Sequence, residues 1–287
     1  MWYQLQIQDS NPFDVEQLGN DLEEMGALSV TFTDKCDNPV FEPELGTTPL
    51  WPEVIVQALF DQEIYLNQSL EQLKLKHPSF SFATSVLEEQ DWERVWMTEF
   101  KPKRFGQHLW ICPTWADAPD PKAINLILDP GLAFGTGTHP TTELCLTWLD
   151  KADLDGKTLI DYGCGSGILA LAAVKLGARE VFAVDIDPQA LQATENNAHT
   201  NGISQLHIDF PQNLQKPVDI ILANILLSPL ISLADRFNIL INNQGKLVIS
   251  GLLKEQVPIL LESYKSYFIA EETYYLEDWA LIVLVRV

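Results

Sequence analysis

The run Leu159-Ile160-Asp161-Tyr162-Gly163-Cys164-Gly165-Ser166-Gly167-Ile168-Leu169 constrains this chain more than any other stretch. An apolar segment leads into three glycines at alternate positions, and a second apolar segment follows. Glycine reaches the backbone conformations of a sharp turn and lets a ligand come close to the main chain. A helix that starts there leaves its first N–H groups without intrahelical partners. The run therefore reads as strand, turn and helix, the opening unit of a parallel sheet that binds a ligand beyond the carboxyl ends of its strands.

The flanking sequence repeats the pattern. Strands are expected at Thr158–Tyr162, Val181–Asp185, Leu206–Phe210, Val218–Ala223 and Lys246–Ser250, with helical stretches between most of them. Two apolar-rich runs, Ile269–Leu276 and Leu281–Val287, close the chain with no helix between them. The expectation is an α/β, doubly wound, mostly parallel seven-stranded sheet, helices on both faces, with an antiparallel edge strand. A nicotinamide-binding fold would more often continue as strand, helix, strand.

The cofactor class follows from charge. A dinucleotide site wants G-x-G-x-x-G with the pyrophosphate at the helix N-terminus. Here the spacing is G-x-G-x-G, and Asp161 stands at the end of the strand. A carboxylate there repels a pyrophosphate and attracts an ammonium. S-adenosylmethionine carries that ammonium and no phosphate, so Asp161, Gly163, Gly165 and Gly167 are read as its binding turn. Asp185 ends the next strand 22 residues after Gly163. An acid about 20 residues on is where the ribose hydroxyls are held. Asp187-Pro188 reads as an N-cap followed by Pro at the first helical position, a structural pair. Asn224 ends the apolar run Val218–Ala223, either to grip the substrate or the cofactor's amino acid, or to cap the helix that starts near Ser228. Asp209 ends the third strand, where it either reads the adenine amino group or is an ordinary loop acid.

The first 88 residues follow a different plan. Trp2–Gln8 alternates apolar and polar, Phe13–Met25 has helical spacing up to Gly26, and Ala27–Thr33 reads as a strand. A loop, Asp34–Pro52, then separates a strand at Glu53–Asp61, a helix at Gln62–His77 and a strand at Phe80–Leu87. This β-α-β-β-α-β order is that of a small α+β ferredoxin-like domain over residues 1–88. Residues 89–122, with a short helix at Gln90–Phe100, the basic cluster Lys101-Pro102-Lys103-Arg104 and a strand at Gln107–Cys112, are read as a linker, and 123–287 as the cofactor-binding domain.

Charge narrows the partners. The chain carries 18 basic and 40 acidic residues, a net charge of −22. Binding to a nucleic-acid backbone needs a Lys/Arg surface, so no direct nucleic-acid partner is expected. The first 60 residues hold eleven acids against one base, Lys35, which points to a positively charged partner there. The four cysteines form no C-x-x-C pair, so no metal is expected. The opening Met-Trp-Tyr-Gln-Leu-Gln-Ile has neither a basic nor a long apolar region, and no run of 18 apolar residues occurs. A cytoplasmic protein with reduced thiols and no membrane association is expected.

One more stretch is specific. Asp129-Pro130-Gly131-Leu132-Ala133-Phe134-Gly135-Thr136-Gly137-Thr138-His139-Pro140-Thr141-Thr142 is a Gly/Thr-rich loop before a helix at Thr142–Lys151, able to close over a cofactor with Phe134 as an apolar wall. With Asp161–Gly167, Asp185 and Ala223–Leu226, it closely resembles the bacterial methyltransferases that modify the large-subunit ribosomal protein L-eleven (L11). The resemblance covers essentially the whole chain. It implies a class I methyltransferase that moves methyl groups from S-adenosylmethionine to lysine ε-amines and the N-terminal α-amine of that basic protein. It further implies that the N-terminal domain recruits the substrate and that Thr142, Gly163, Asp185 and Asn224 contact the cofactor. Relatives acting on amides or exocyclic amines carry Asn-Pro-Pro-Tyr where this chain has Asn224-Ile225-Leu226, so the site is less enclosed here, which suits repeated methylation.

Asn224 is the expected catalytic residue. No His or Glu stands out as a base: His139 is read as a loop or helix-cap residue and Cys164 as a packing residue. A monomer is expected. Three rivals remain: a methyltransferase for another protein or a small molecule, a nicotinamide-dependent oxidoreductase, and a binding module with a decayed site.

Overall fold

The computed structural model describes residues 1–8, 15–36, 40, 46–88, 100–129 and 139–287. Its chain divides into two units, Met1–Val95 and Trp96–Val287.

In the first unit the two-residue period sets the layers. Strand β3 (Val54–Phe60) buries every second side chain, Val54, Val56, Ala58 and Phe60. It pairs antiparallel with β1 (Trp2–Gln8) and β2 (Ser29–Asp34), and β1 also pairs with β4 (Ser81–Leu87). The order β2-β3-β1-β4, with helices α1 (Val15–Glu24) and α2 (Glu63–Lys76) in the sequence positions of the split motif, is the ferredoxin-like arrangement. Leu18 and Leu22 of α1 and Leu66 and Leu73 of α2 meet Leu5, Ile7 and Val56 in one core. The opposite face of the sheet presents Gln4, Gln6, Gln57, Thr31 and Ser85 in register and carries no charged side chain. The exposed acids Glu16, Glu23 and Glu24 sit on α1 instead.

The second unit opens with a three-stranded sheet, β5 (Lys103–Phe105), β6 (Leu109–Cys112) and β7 (Ile124–Ile127), in the order β5-β6-β7. The segment read from sequence as a linker thus divides: the helix expected at 90–100 falls almost wholly outside the described residues, and 103–112 supplies two strands of this sheet. Asp150 of α3 (Pro140–Lys151) fastens it, accepting the backbone N–H of Gln107 at 2.6 Å and of His108 at 3.0 Å. Asn201 does the same at the other end, with its side chain bonded to both backbone groups of Ile127 at 2.8 and 2.7 Å.

The main sheet holds seven strands in the order β10-β9-β8-β11-β12-β14-β13. They are β8 (Thr158–Tyr162), β9 (Glu180–Val184), β10 (Leu206–Asp209), β11 (Val218–Asn224), β12 (Ile241–Leu253), β13 (Phe268–Leu276) and β14 (Trp279–Arg286), with helices α4 (Ile168–Lys175), α5 (Pro188–Thr200), α6 (Leu227–Ser232), α7 (Ala234–Leu240) and α8 (Val257–Tyr264) between them. Strands β8 to β12 pair parallel, and the closing hairpin makes the antiparallel edge, with β14 reversed between β12 and β13. All five residues of β8 are buried, because helices cover both its faces. Leu159 joins the layer under α3 and α4, while Ile160 and Tyr162 join the layer under α7 and α8. The strand order reverses between β8 and β11, and such a switch point opens a crevice at the strand ends.

Two differences from the sequence expectations have physical reasons. Strand β12 begins at Ile241, earlier than Lys246, because Ile241 pairs with Val218; the register then shifts, regular pairing resumes at Lys246, and the Asn242 amide donates a hydrogen bond to the Asp219 carboxylate at 2.9 Å. Strand β7 has only four residues, too few to show a period.

Candidate active site

The Gly-rich turn spends its own donors. Gly163 N–H and Cys164 N–H both donate to the carbonyl of Val184, at 2.8 and 3.0 Å, and Gly167 N–H donates to Cys164 at 2.8 Å. Gly165 N–H donates to the Asp185 carboxylate at 3.0 Å. These groups would have to be free to cradle a pyrophosphate. Helix α4 follows with Gly167 as its N-cap, which has no side chain to accept from the first turn. Asp161 does so from the strand, accepting Ala170 N–H at 2.9 Å. Gly163 is required as glycine: its φ is +81°, and a Cβ would come within 2.4 Å of Ile225 Cγ2.

Two carboxylates thus flank the turn. Asp161 is only 1% exposed. Burial pushes its carboxyl up from 3.8 to about 7; the Asp185 charge adds to the rise, and the Ala170 hydrogen bond opposes it. Asp185 is half-buried, and its other oxygen accepts Asp187 N–H at 3.0 Å. This pair of acceptors repels phosphate and fits a cation beside hydroxyl groups. It is therefore suited to the methionine ammonium and ribose of S-adenosylmethionine.

Across the switch point, Asn224 ends β11 two residues beyond Leu222, the register partner of Asp161. Its Nδ2 donates to Thr142 Oγ1 at 3.4 Å, which brings together two residues named from sequence. Thr142 itself is 2% exposed on the first turn of α3. The cap of α6 is Leu226, so Asn224 does not serve as that helix's cap. Its register partner is Ser250, a fully buried hydroxyl that donates to Ala280 at 2.9 Å.

The remaining candidates have structural duties. His139 caps α3, accepting Thr141 N–H through Nδ1, and packs edge-on against Trp279 at 4.7 Å. Burial lowers its pKa from 6.5, partly opposed by Glu277. Cys164 is buried with its thiol pushed up by desolvation, as expected of a packing residue. Asp187 caps α5 by accepting Gln189 N–H at 2.8 Å, with Pro188 behind it. Asp209 accepts Phe210 N–H and the Asn213 amide, both at 2.7 Å and both through Oδ1. The loop residues Pro130 to Thr138, Phe134 among them, lie outside the described residues.

Two supporting residues were not anticipated. Thr194 and Asn197 of α5 donate to the carbonyls of Gly165 and Ser166, at 3.1 and 2.8 Å, and so pin the turn from the helix side. Their spacing of three puts them on one helix face, a signal that reads equally well as solvated surface.

Known proteins match this chain along its whole length. The family described as Ribosomal protein L11 methyltransferase (PrmA) matches residues 1–287. A Legionella pneumophila protein named ribosomal protein L11 methyltransferase is 58% identical over 285 residues, covering 99% of each chain. One from Hahella chejuensis with the same name is 48% identical, covering 98% of this chain and 97% of that one. A crystal structure of a ribosomal protein L11 methylase from Lactobacillus delbrueckii subsp. bulgaricus is 32% identical, with a TM-score of 0.62 over 65% of this chain and 99% of that one. On this evidence the chain belongs to the ribosomal protein L11 methyltransferase family.

Proposed function

We propose that this enzyme transfers methyl groups from S-adenosylmethionine to lysine ε-amines and the N-terminal α-amine of ribosomal protein L11. The observation that carries the cofactor is the pair Asp161 and Asp185 around a turn whose N–H groups at 163, 164, 165 and 167 are already bonded. When bound, the cofactor supplies a methyl group activated by its sulfonium. The chain's own part is alignment and water exclusion, which suffice for an in-line displacement. Asp161 holds the ammonium, Asp185 the ribose hydroxyls, and Gly163 lets the main chain approach. Asn224, steadied by Thr142, orients the incoming amine.

A lysine amine has a reference pKa of about 10.4 and must lose a proton before attack. In this reading the proton passes to solvent, and His139 serves through Nδ1 as a helix cap. The names carried by relatives of full length support L11 as the substrate. The acids of the first unit suit so basic a partner, and a ribosomal acceptor supports a cytoplasmic reaction.

The test is to incubate the purified protein with methyl-labelled S-adenosylmethionine and ribosomal proteins from cells lacking the enzyme. Label on the L11 band is the expected result. Label on another protein would keep the reaction and reject the substrate, and no label would reject both.

A further inference from the structure

Leu226 breaks two local rules at once. It is the N-cap of α6, with φ −64° and ψ 157°, where a side-chain oxygen usually accepts a first-turn N–H, and leucine has none to offer. Its apolar side chain is also 52% exposed. A serine or asparagine would remove both faults.

The segment around it is nonetheless tightly held. Ile225 is wedged between two backbones: a Cβ on Gly163 would meet its Cγ2 at 2.4 Å, and a Cβ on Gly251, φ +85°, would meet its carbonyl oxygen at 2.4 Å. With Ile225 fixed inward, Leu226 presents its side chain to solvent two residues after Asn224. Local rules broken inside well-packed surroundings concentrate where function demands them.

Resting on the reading above, we propose that Leu226 is a specificity residue that covers the aliphatic stem of the acceptor lysine. Asn224 then takes the polar end of the side chain and Leu226 its methylenes, which bury readily against apolar surface. An N-terminal α-amine has no such stem and depends less on this contact.

The test is Leu226→Ser in the full chain, with Leu226→Met as the conservative control and recombinant L11 as substrate. Thermal unfolding gives Tm, and mass spectrometry gives kcat/KM separately for the ε- and α-amines. The serine restores the missing cap, so Tm rises by about 2–4 °C. The ε-amine kcat/KM falls about tenfold, the α-amine value by less than about threefold, and Leu226→Met keeps both near wild type. An unchanged ε-amine rate in the serine variant overturns the proposal, as do equal losses at the two amines or a lowered Tm. Wild-type protein that methylates neither amine overturns the underlying reading and this proposal with it.

Discussion

At Asp161 one buried oxygen pair serves two masters. It caps α4 through Ala170, and it is the group proposed to hold the cofactor's ammonium. Burial raises its pKa from 3.8 to about 7, so the folded state favours the protonated acid. This group's contribution to stability is therefore present below pH 3.8 and is lost as pH climbs through about 7. Cofactor binding has the opposite sign, because only the carboxylate attracts the ammonium. Calorimetric titration should show several-fold tighter binding of S-adenosylmethionine at about pH 7.5 than at pH 6, the limit being about tenfold per pH unit below the pKa. Asp161→Asn should bind weakly at both. A wild-type affinity that ignores pH over this range would sink the assignment. Gly163 makes a second prediction, from sterics alone. An alanine there takes a φ of +81° and collides with Ile225, so Gly163→Ala should lower Tm by at least about 4 °C and weaken cofactor binding together. A variant as stable as wild type would show that the turn can shift.

Among the elements, the small sheet β5-β6-β7 is fastened at its β5–β6 end by one carboxylate. The Asp150 side chain is 1% exposed and accepts two turn N–H groups. Asp150→Ala leaves both without partners and should cost about 2 kcal/mol, read as a lower midpoint in urea. A midpoint within error of wild type would assign those N–H groups to water. This fastening was not legible in the sequence, since Asp150 lies 43 residues from Gln107 and looks like any acid in the last turn of an exposed helix. By contrast β8, β9 and β11 were legible, because strands covered on both faces read as continuous apolar runs. The candidate site was legible for the same reason: Asp161, Asp185 and Asn224 are the polar residues within or at the ends of such runs. Thr194 and Asn197 escaped because their value depends on α5 lying over the turn, a tertiary fact that spacing along one helix does not carry. The start of β12 escaped because Asn242 and its neighbours have turn composition and interrupt the register between Ile241 and Lys246.

For the molecule as a whole, the question is what a net charge of −22 does. Charge spread evenly would favour solubility and little else. Here eleven acids fall in the first 60 residues, and Glu16, Glu23 and Glu24 stand exposed on α1 while the open sheet face of that unit is uncharged. An acidic helix face draws a basic protein by long-range attraction, which salt screens over a Debye length of about 10 Å at 0.1 M. The Michaelis constant for L11 should therefore rise several-fold between about 50 and 300 mM salt, with kcat nearly constant. Reversing both charges, Glu23→Lys with Glu24→Lys, should raise the low-salt constant toward the high-salt value and flatten the dependence. The binding constant for S-adenosylmethionine should not follow, because Asp161 and Asp185 belong to the other unit. A Michaelis constant unmoved by the double reversal at low salt would clear α1 of the role and turn attention to the uncharged Gln- and Ser-bearing sheet face, whose contacts would be insensitive to salt.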